Sequence, residues 1–469
     1  MHVPDSAAAR RPLANRWRNL PLAVFLTAYF VWFNWGSLRV RFALDDLANL
    51  RHYFEIPVAQ LVLSNFLPWR GDYRLLGALF YLPTYRFAGL NPVPYQAVLL
   101  AVLLLNVYFA YRLMRLLGAG EWAAALVALI CCYHGGVANL YYNAAFVYDA
   151  MCCCLYLAAL TFYVGIRGRD RLPGVGQTIV FLALLLAALN AKEVAVSIPP
   201  MLLVYEWVYH APAKKDRQSL VGWVRGPART TWFAAALVLL DVYSKVAGPA
   251  AMTAAEAYRP VFALDRVRTF QVALLQDLFF SWSWKPGWIL VVGLYAVMAF
   301  IAWRRAGFPI LRFLFNYLLV APLPIEFLPG RREACFALLM FGGAAFASVV
   351  FTDVVQAAAS LLSPGIQTCR AARSLRRCNG GGSRGRVDRF HVGLISTTGL
   401  VREGGRRPFA LRTGDLPFAT HIMRKAGMPN ASILAGEEPK HCRSAAYFSS
   451  FFRIMLYWKR NPVSGSSLD

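Results

Sequence analysis

The chain is 469 residues long, 58% apolar and only 16% charged, with a formal net charge of +25 and a mean hydropathy of +0.45. Its apolar residues come in long blocks, not amphipathic stripes, which excludes a water-soluble globular protein and marks an all-α polytopic membrane protein. Its nine cysteines do not form a disulfide framework: Cys131, Cys132, Cys152, Cys153 and Cys154 fall inside apolar blocks, where cysteine behaves as a small hydrophobe, and their spacing matches no zinc site.

A basic arm, residues 1–19, carries Arg10, Arg11, Arg16 and Arg18. The first apolar block, 20–38, reads as a retained signal anchor, because comparable blocks follow it and no small-residue cleavage site closes it. Further spans are expected at 95–117, 121–137, 144–166, 175–190, 194–210, 231–247, 286–303, 308–325 and 334–356. Several of these are shorter than the roughly 20 residues that a perpendicular helix needs. Every second loop is basic: Arg112 and Arg115; Arg167, Arg169 and Arg171; Lys214, Lys215, Arg217, Arg225 and Arg229; Arg304, Arg305 and Arg312. That alternation predicts these loops and both termini in the cytoplasm.

The unusual polar residues then gather on the opposite, outer side. Asp45 and Asp46 directly follow the first span and open a loop, 39–94, too long for a mere connector. Two amphipathic helices are expected there along the membrane surface, Leu44 to Tyr53 and Val58 to Phe66, separated by Pro57. Trp69, Tyr73, Phe80, Tyr81, Tyr85 and Phe87 suit the headgroup layer. The outer side also receives the Leu140–Asn143 turn, the Lys192–Glu193 pair, a second large loop at 248–285 with Arg259, and the stretch 329–333 with Arg331 and Arg332. Asp149, just inside the span 144–166, is an intramembrane acid and is expected to face a polar cavity. His134, at a span end, is read as a hydrogen-bonded helix terminus.

From residue 360 to 469 the apolar blocks cease and Gly, Ser and Arg dominate. This tail is expected to be disordered or loosely packed on an anionic leaflet, with Tyr447 to Trp458 as a candidate interfacial helix. It carries no aromatic-basic pattern of a nucleic-acid module, so no nucleic-acid partner is expected. Neither a Walker loop nor a Rossmann fingerprint is present, which argues against a nucleotide-driven pump and for a substrate that is already activated and lipid-linked.

Phe42-Ala43-Leu44-Asp45-Asp46 after the first span, Tyr73 to Tyr81 leading to Gly89-Leu90-Asn91-Pro92, Ala191-Lys192-Glu193 with Pro199-Pro200, and Phe327 to Arg331 recur in a fixed order on one side. In these the chain resembles the membrane-embedded GT-C glycosyltransferases, and more narrowly the bacterial relatives of protein O-mannosyltransferases, over residues 20–355. The resemblance implies a helical bundle of about ten spans in a bacterial inner membrane, with residues 20–356 as the GT-C-like domain. It implies transfer of a sugar from a polyprenyl-phosphate donor to a hydroxyl of a protein or glycan acceptor on the extracytoplasmic face. Such transfer needs a base for the acceptor and cations for the departing phosphate. By similarity Asp45 is the base, and Asp46 orients it or binds a divalent cation with it. Arg331 lies near the lipid phosphate, with Arg332, Arg74, Lys192 and Arg259 as further cations. Glu193, Tyr142, Asn143 and Asp149 are further pocket candidates.

Plainer readings stand beside these. The aspartates would also cap a surface helix, worth roughly 1 kcal/mol; Lys192 and Glu193 would also pair with each other; Tyr142 would also anchor in the headgroup belt; and Arg331 and Arg332 would also snorkel to phospholipid. A transporter or lipid flippase is the alternative class, marked by internal repeats and broken helices. No repeat is legible, although Pro199-Pro200 interrupts one span.

Overall fold

The computed structural model describes residues 20–66, 75–212, 217–247, 259–278, 287–305, 308–328 and 336–362. Among the described residues every regular element is helical. α1 (Leu20–Asn34) runs on through a 3-10 turn to Arg39, and α2 (Leu44–Glu55) and α3 (Val58–Phe66) follow, separated at Pro57. Then come α4 (Ala78–Ala88), α5 (Pro92–Leu116), α6 (Glu121–Cys132), α7 (Ala138–Tyr142), α8 (Val147–Arg167), α9 (Val175–Ala191) and α10 (Ile198–His210). The chain continues through α11 (Arg217–Arg225), α12 (Arg229–Ala247), α13 (Leu264–Leu278), α14 (Trp288–Arg304), α15 (Pro309–Val320), α16 (Leu323–Glu326) and α17 (Phe336–Leu362).

This is a helical membrane protein. Among the described residues six stretches are long and apolar enough to cross a bilayer: Leu20–Arg39, Pro92–Leu116, Ala144–Arg167, Arg229–Ala247, Pro309–Glu326 and Phe336–Ala359. A helix lies in each of the ten expected intervals, but four fall short of an unbroken span. α9 and α14 are apolar helices of 17 residues each, and α10 has only 13 residues after its 3-10 lead-in. The expected span at 121–137 is instead a broken helix, with α6 and the Gly135–Tyr142 stretch meeting at 47°.

Local chemistry explains where these helices begin and turn. Asn91 caps α5, its side chain accepting the Val93 N–H at 3.1 Å, with Pro92 at the first helical position. α5 ends at Gly118, whose φ of +93° is left-handed, and Ala119 N–H then reaches back to the Met114 carbonyl at 2.9 Å. That turn lets α6 fold back along α5. α5 also packs on α8, α8 on α9, α6 on α17, and α10 on both α12 and α15.

The core between these helices is rich in tyrosine. Tyr156 shares a hydrogen bond with Ser197 at 3.0 Å, and Tyr317 donates to the Leu338 carbonyl at 3.2 Å. One deeply buried ion pair closes one end of α8: Arg167 grips Glu206 of α10 bidentately, at 2.6 and 2.9 Å, while Tyr163 donates to the same carboxylate at 2.7 Å. A buried carboxylate needs this degree of satisfaction.

Where α4 approaches α2 and α8, Gly77 is the residue that allows the fit. A Cβ there would collide with the ring and hydroxyl of Tyr148 and with the hydroxyl of Tyr53. Gly77→Ala is therefore expected to overpack this junction and cost about 1–3 kcal/mol. Thermal unfolding in detergent reads this, and a variant as stable as the wild type would contradict the packing assigned here.

Candidate functional site

The aspartate pair opens α2. Ala43 is extended at the N-cap, and Asp46, three residues on, turns its side chain back so that Oδ2 accepts the Ala43 N–H at 2.9 Å. Acidic residues suit this first turn, where the helix dipole is positive. Asp46 is only 2% exposed, and its Oδ1 accepts from Tyr81 Oη at 3.3 Å. Burial pushes its carboxyl up to about 6, the Asp45 charge adds to this, and the two hydrogen bonds oppose it. Asp45, in contrast, is exposed.

Successive helical positions diverge by about 100°, so the two carboxylates go to different environments. Of the two carboxylates expected to share a divalent cation, one is engaged inside the protein and the other is on its surface.

From Asp46 a run of polar groups leads across the bundle. Tyr81 stacks on Tyr53 at 5.8 Å, and the Tyr53 and Tyr148 hydroxyls share a hydrogen bond at 2.7 Å. The next residue, Asp149 in the first turn of α8, forms an ion pair with Lys192, the two side chains 5% and 4% exposed. Asp149, expected to face a polar cavity, and Lys192, expected among the phosphate-binding cations, thus pair with each other inside the protein. Lys192 occupies the extended link between α9 and the 3-10 turn Glu193–Ser197.

Glu193, its neighbour, lines a groove of about 420 Å³ between the 3-10 turn, α12, α16 and the Pro260–Phe262 stretch. The groove wall is mainly apolar and includes Val196, Val246, Phe262 and Leu323. Its charged members are Glu193, Asp241 and Lys245. Lys245 Nζ lies 3.0 Å from Asp241 Oδ2 one turn back and donates to the Leu189 carbonyl at 3.1 Å. Neither Asp45 nor Asp46 is in the lining. Asp241 and Lys245 are missing from the sequence-derived candidates, although an acid inside an apolar block with a lysine four residues on is a readable signal.

The remaining candidates divide. Tyr142 donates to the Phe33 carbonyl at 2.9 Å, and Asn143 caps the next turn by accepting the Ala145 N–H at 3.0 Å, so both hold the fold together. His134 Nδ1 likewise accepts the Gly136 N–H at 3.2 Å. Arg259 is exposed and adjoins Pro260 of the groove wall. Arg74, Arg331 and Arg332 lie outside the described residues, as do Trp69, Tyr73 and the tail. No group of three or more His, Cys, Asp or Glu residues placed to hold a metal occurs among the described residues. No model of a known protein family matches the chain, and no curated protein matches it.

Asp46 gives a pH prediction. Between its ordinary value near 4 and about 6, the folded state binds the Asp46 proton more tightly than the unfolded chain does. Its contribution to stability therefore falls as pH rises through that window, by at most about 3 kcal/mol in total. Asp46→Asn removes this titration while keeping the shape. The stability of Asp46→Asn relative to wild type is expected to rise from pH 4 to pH 6 and then level off, measured by thermal unfolding. A flat difference would place Asp46 in a solvated setting, and one that falls with pH would mean that the fold favours its charged form.

Proposed function

We propose that the chain is a membrane glycosyltransferase that moves a sugar from a polyprenyl-phosphate donor to an acceptor hydroxyl at the extracytoplasmic face. The observation that carries this reading is the groove. Its wall is mainly apolar but includes Glu193, Asp241 and Lys245, which suits an amphiphile with a long hydrocarbon chain and a polar head. The order of the Asp45-Asp46, Lys192-Glu193 and Arg331 segments along the chain adds the resemblance to GT-C enzymes.

In this reading Asp45 accepts the proton of the acceptor hydroxyl, whose oxygen attacks the anomeric carbon. The bond from that carbon to the phosphate oxygen breaks, and polyprenyl phosphate leaves with the electron pair. An exposed carboxylate at the start of a helix is accessible for this work, whereas Asp46 supports the helix from beneath. Glu193, Asp241 and Lys245 carry a net single negative charge, so the donor phosphate needs other cations. Arg259 adjoins the wall, and Arg331 and Arg332 follow the wall residue Leu328 by three and four positions in the chain. Arginine suits the role because its planar fork takes phosphate oxygens in pairs and stays charged.

A transporter or flippase is the second reading, and the 47° break between α6 and the Gly135–Tyr142 stretch is the observation in its favour. Turnover separates the two. Purified protein supplied with a polyprenyl-phosphate sugar and a hydroxyl acceptor is expected to release polyprenyl phosphate, and Asp45→Asn is expected to abolish release while still inserting in the membrane. Arg331→Lys should weaken donor binding modestly and Arg331→Ala by roughly tenfold to a hundredfold. Lipid movement across vesicles without any release of polyprenyl phosphate would support transport instead.

A further inference from the structure

Further along α10 from the groove, towards its C-terminal end, a second crevice of about 280 Å³ is lined by Leu203, Val204, Trp207, Val208, Trp223 and Asn316. Trp207 and Trp223 meet edge to face at 5.8 Å, so two indoles form its wall. Trp223 is only 8% exposed, yet its indole N–H has no hydrogen-bond partner among the described residues. A buried donor left without an acceptor costs free energy that the fold rarely tolerates. The nearby Trp232 does have one, donating to the Val224 carbonyl at 3.3 Å. An acceptor brought by a molecule that enters the crevice would satisfy it.

The surroundings define its chemistry. α11 carries Trp223 inward and exposes Val221, Val224 and Arg225, and Arg229 begins α12 immediately after it. Over 217–229 the sequence carries Arg217, Arg225 and Arg229 and no acid. On the third wall Asn316 donates to the Arg312 carbonyl at 2.8 Å, and Arg312 Nε is itself buried without a partner. An apolar crevice with an unpaired N–H on a wall residue and arginines on the same helices matches a hydrocarbon chain joined to an oxygen-rich anionic head. Short basic amphipathic helices with tryptophan lie at the headgroup level of membranes.

We propose that this crevice between α10, α11 and α15 binds one anionic phospholipid. Its acyl chain lies against Trp207 and Trp223, a phosphate or ester oxygen accepts the Trp223 N–H, and Arg225 and Arg229 hold the headgroup charge. The site is separate from the groove and does not depend on sugar transfer. Anionic lipid bound there would brace the α10–α12 connection against the bundle.

The test uses the full chain in phosphatidylcholine vesicles doped with a small fraction of phosphatidylglycerol bearing a photoreactive acyl chain. After illumination, peptide mapping is expected to find label on the Leu203–Val208 stretch and around Asn316. The same probe with a phosphatidylcholine head should label these peptides at least several-fold less. Trp223→Phe keeps the ring and removes the donor, and it is expected to cut the phosphatidylglycerol label about tenfold. Arg225→Gln with Arg229→Gln, both at exposed positions, should erase the preference between the two heads even if Trp223→Phe fails to fold. Equal labelling by the two probes in the wild type, or phosphatidylglycerol label unchanged in the arginine double variant, would overturn the proposal.

Discussion

The buried ion pair between Asp149 and Lys192 is the constraint on which the rest of the architecture depends. A lysine and an aspartate removed from water each lose several kcal/mol of hydration, which only close pairing and hydrogen bonding repay. Lys192 stands where α9 has ended and before the Glu193–Ser197 turn begins, so its tether to α8 fixes where the chain breaks. The break aims Glu193 into the groove. On the other partner, Asp149 follows Tyr148, whose hydroxyl meets Tyr53 of α2. One pair of charges therefore ties the acidic helix α2, through α8, to Glu193 in the groove wall.

The same helix is pinned at its other end. Arg167, in the last turn of α8, grips Glu206 of α10, so α8 is bound to the α9–α10 unit at two points 18 residues apart, about 27 Å along a helix. The signs follow the helix dipole, with the acid at the N-terminus and the cation at the C-terminus. Two satisfied pairs of this kind also specify register. Sliding α8 by one turn would leave four buried charges without partners, so competing packings of these otherwise interchangeable apolar helices are heavily penalised.

Much of the fold is legible in the sequence because the bilayer imposes a simple grammar. The apolar blocks mark helices, and the 3.6-residue period interrupted at Pro57 marks α2 and α3 close to their observed bounds. Span length is less legible. Hydropathy runs unbroken through Tyr133 and His134 because it reads side chains and not backbone direction, so the break between α6 and the Gly135–Tyr142 stretch is invisible to it. The candidate site follows the same division. Asp45, Asp46, Asp149, Lys192 and Glu193 stand out as charges at membrane edges, but their partners do not. Lys192 and Glu193 adjoin in sequence, yet Lys192 is extended and its partner is 43 positions away. Asp241 and Lys245 largely cancel within one apolar block, and averaging over that block hides them.

The most direct measurement of this account is a charge exchange across the central pair. Asp149→Lys and Lys192→Asp, each alone, should leave like charges buried together and cost about 3–5 kcal/mol or more in thermal or denaturant unfolding. The double exchange should recover a large part of that loss, because a pair is restored in the same cavity even though its sign now opposes the α8 dipole. Single variants with wild-type stability, or a double variant no better than the sum of the singles, would contradict the pairing and the link it makes between α2 and the groove.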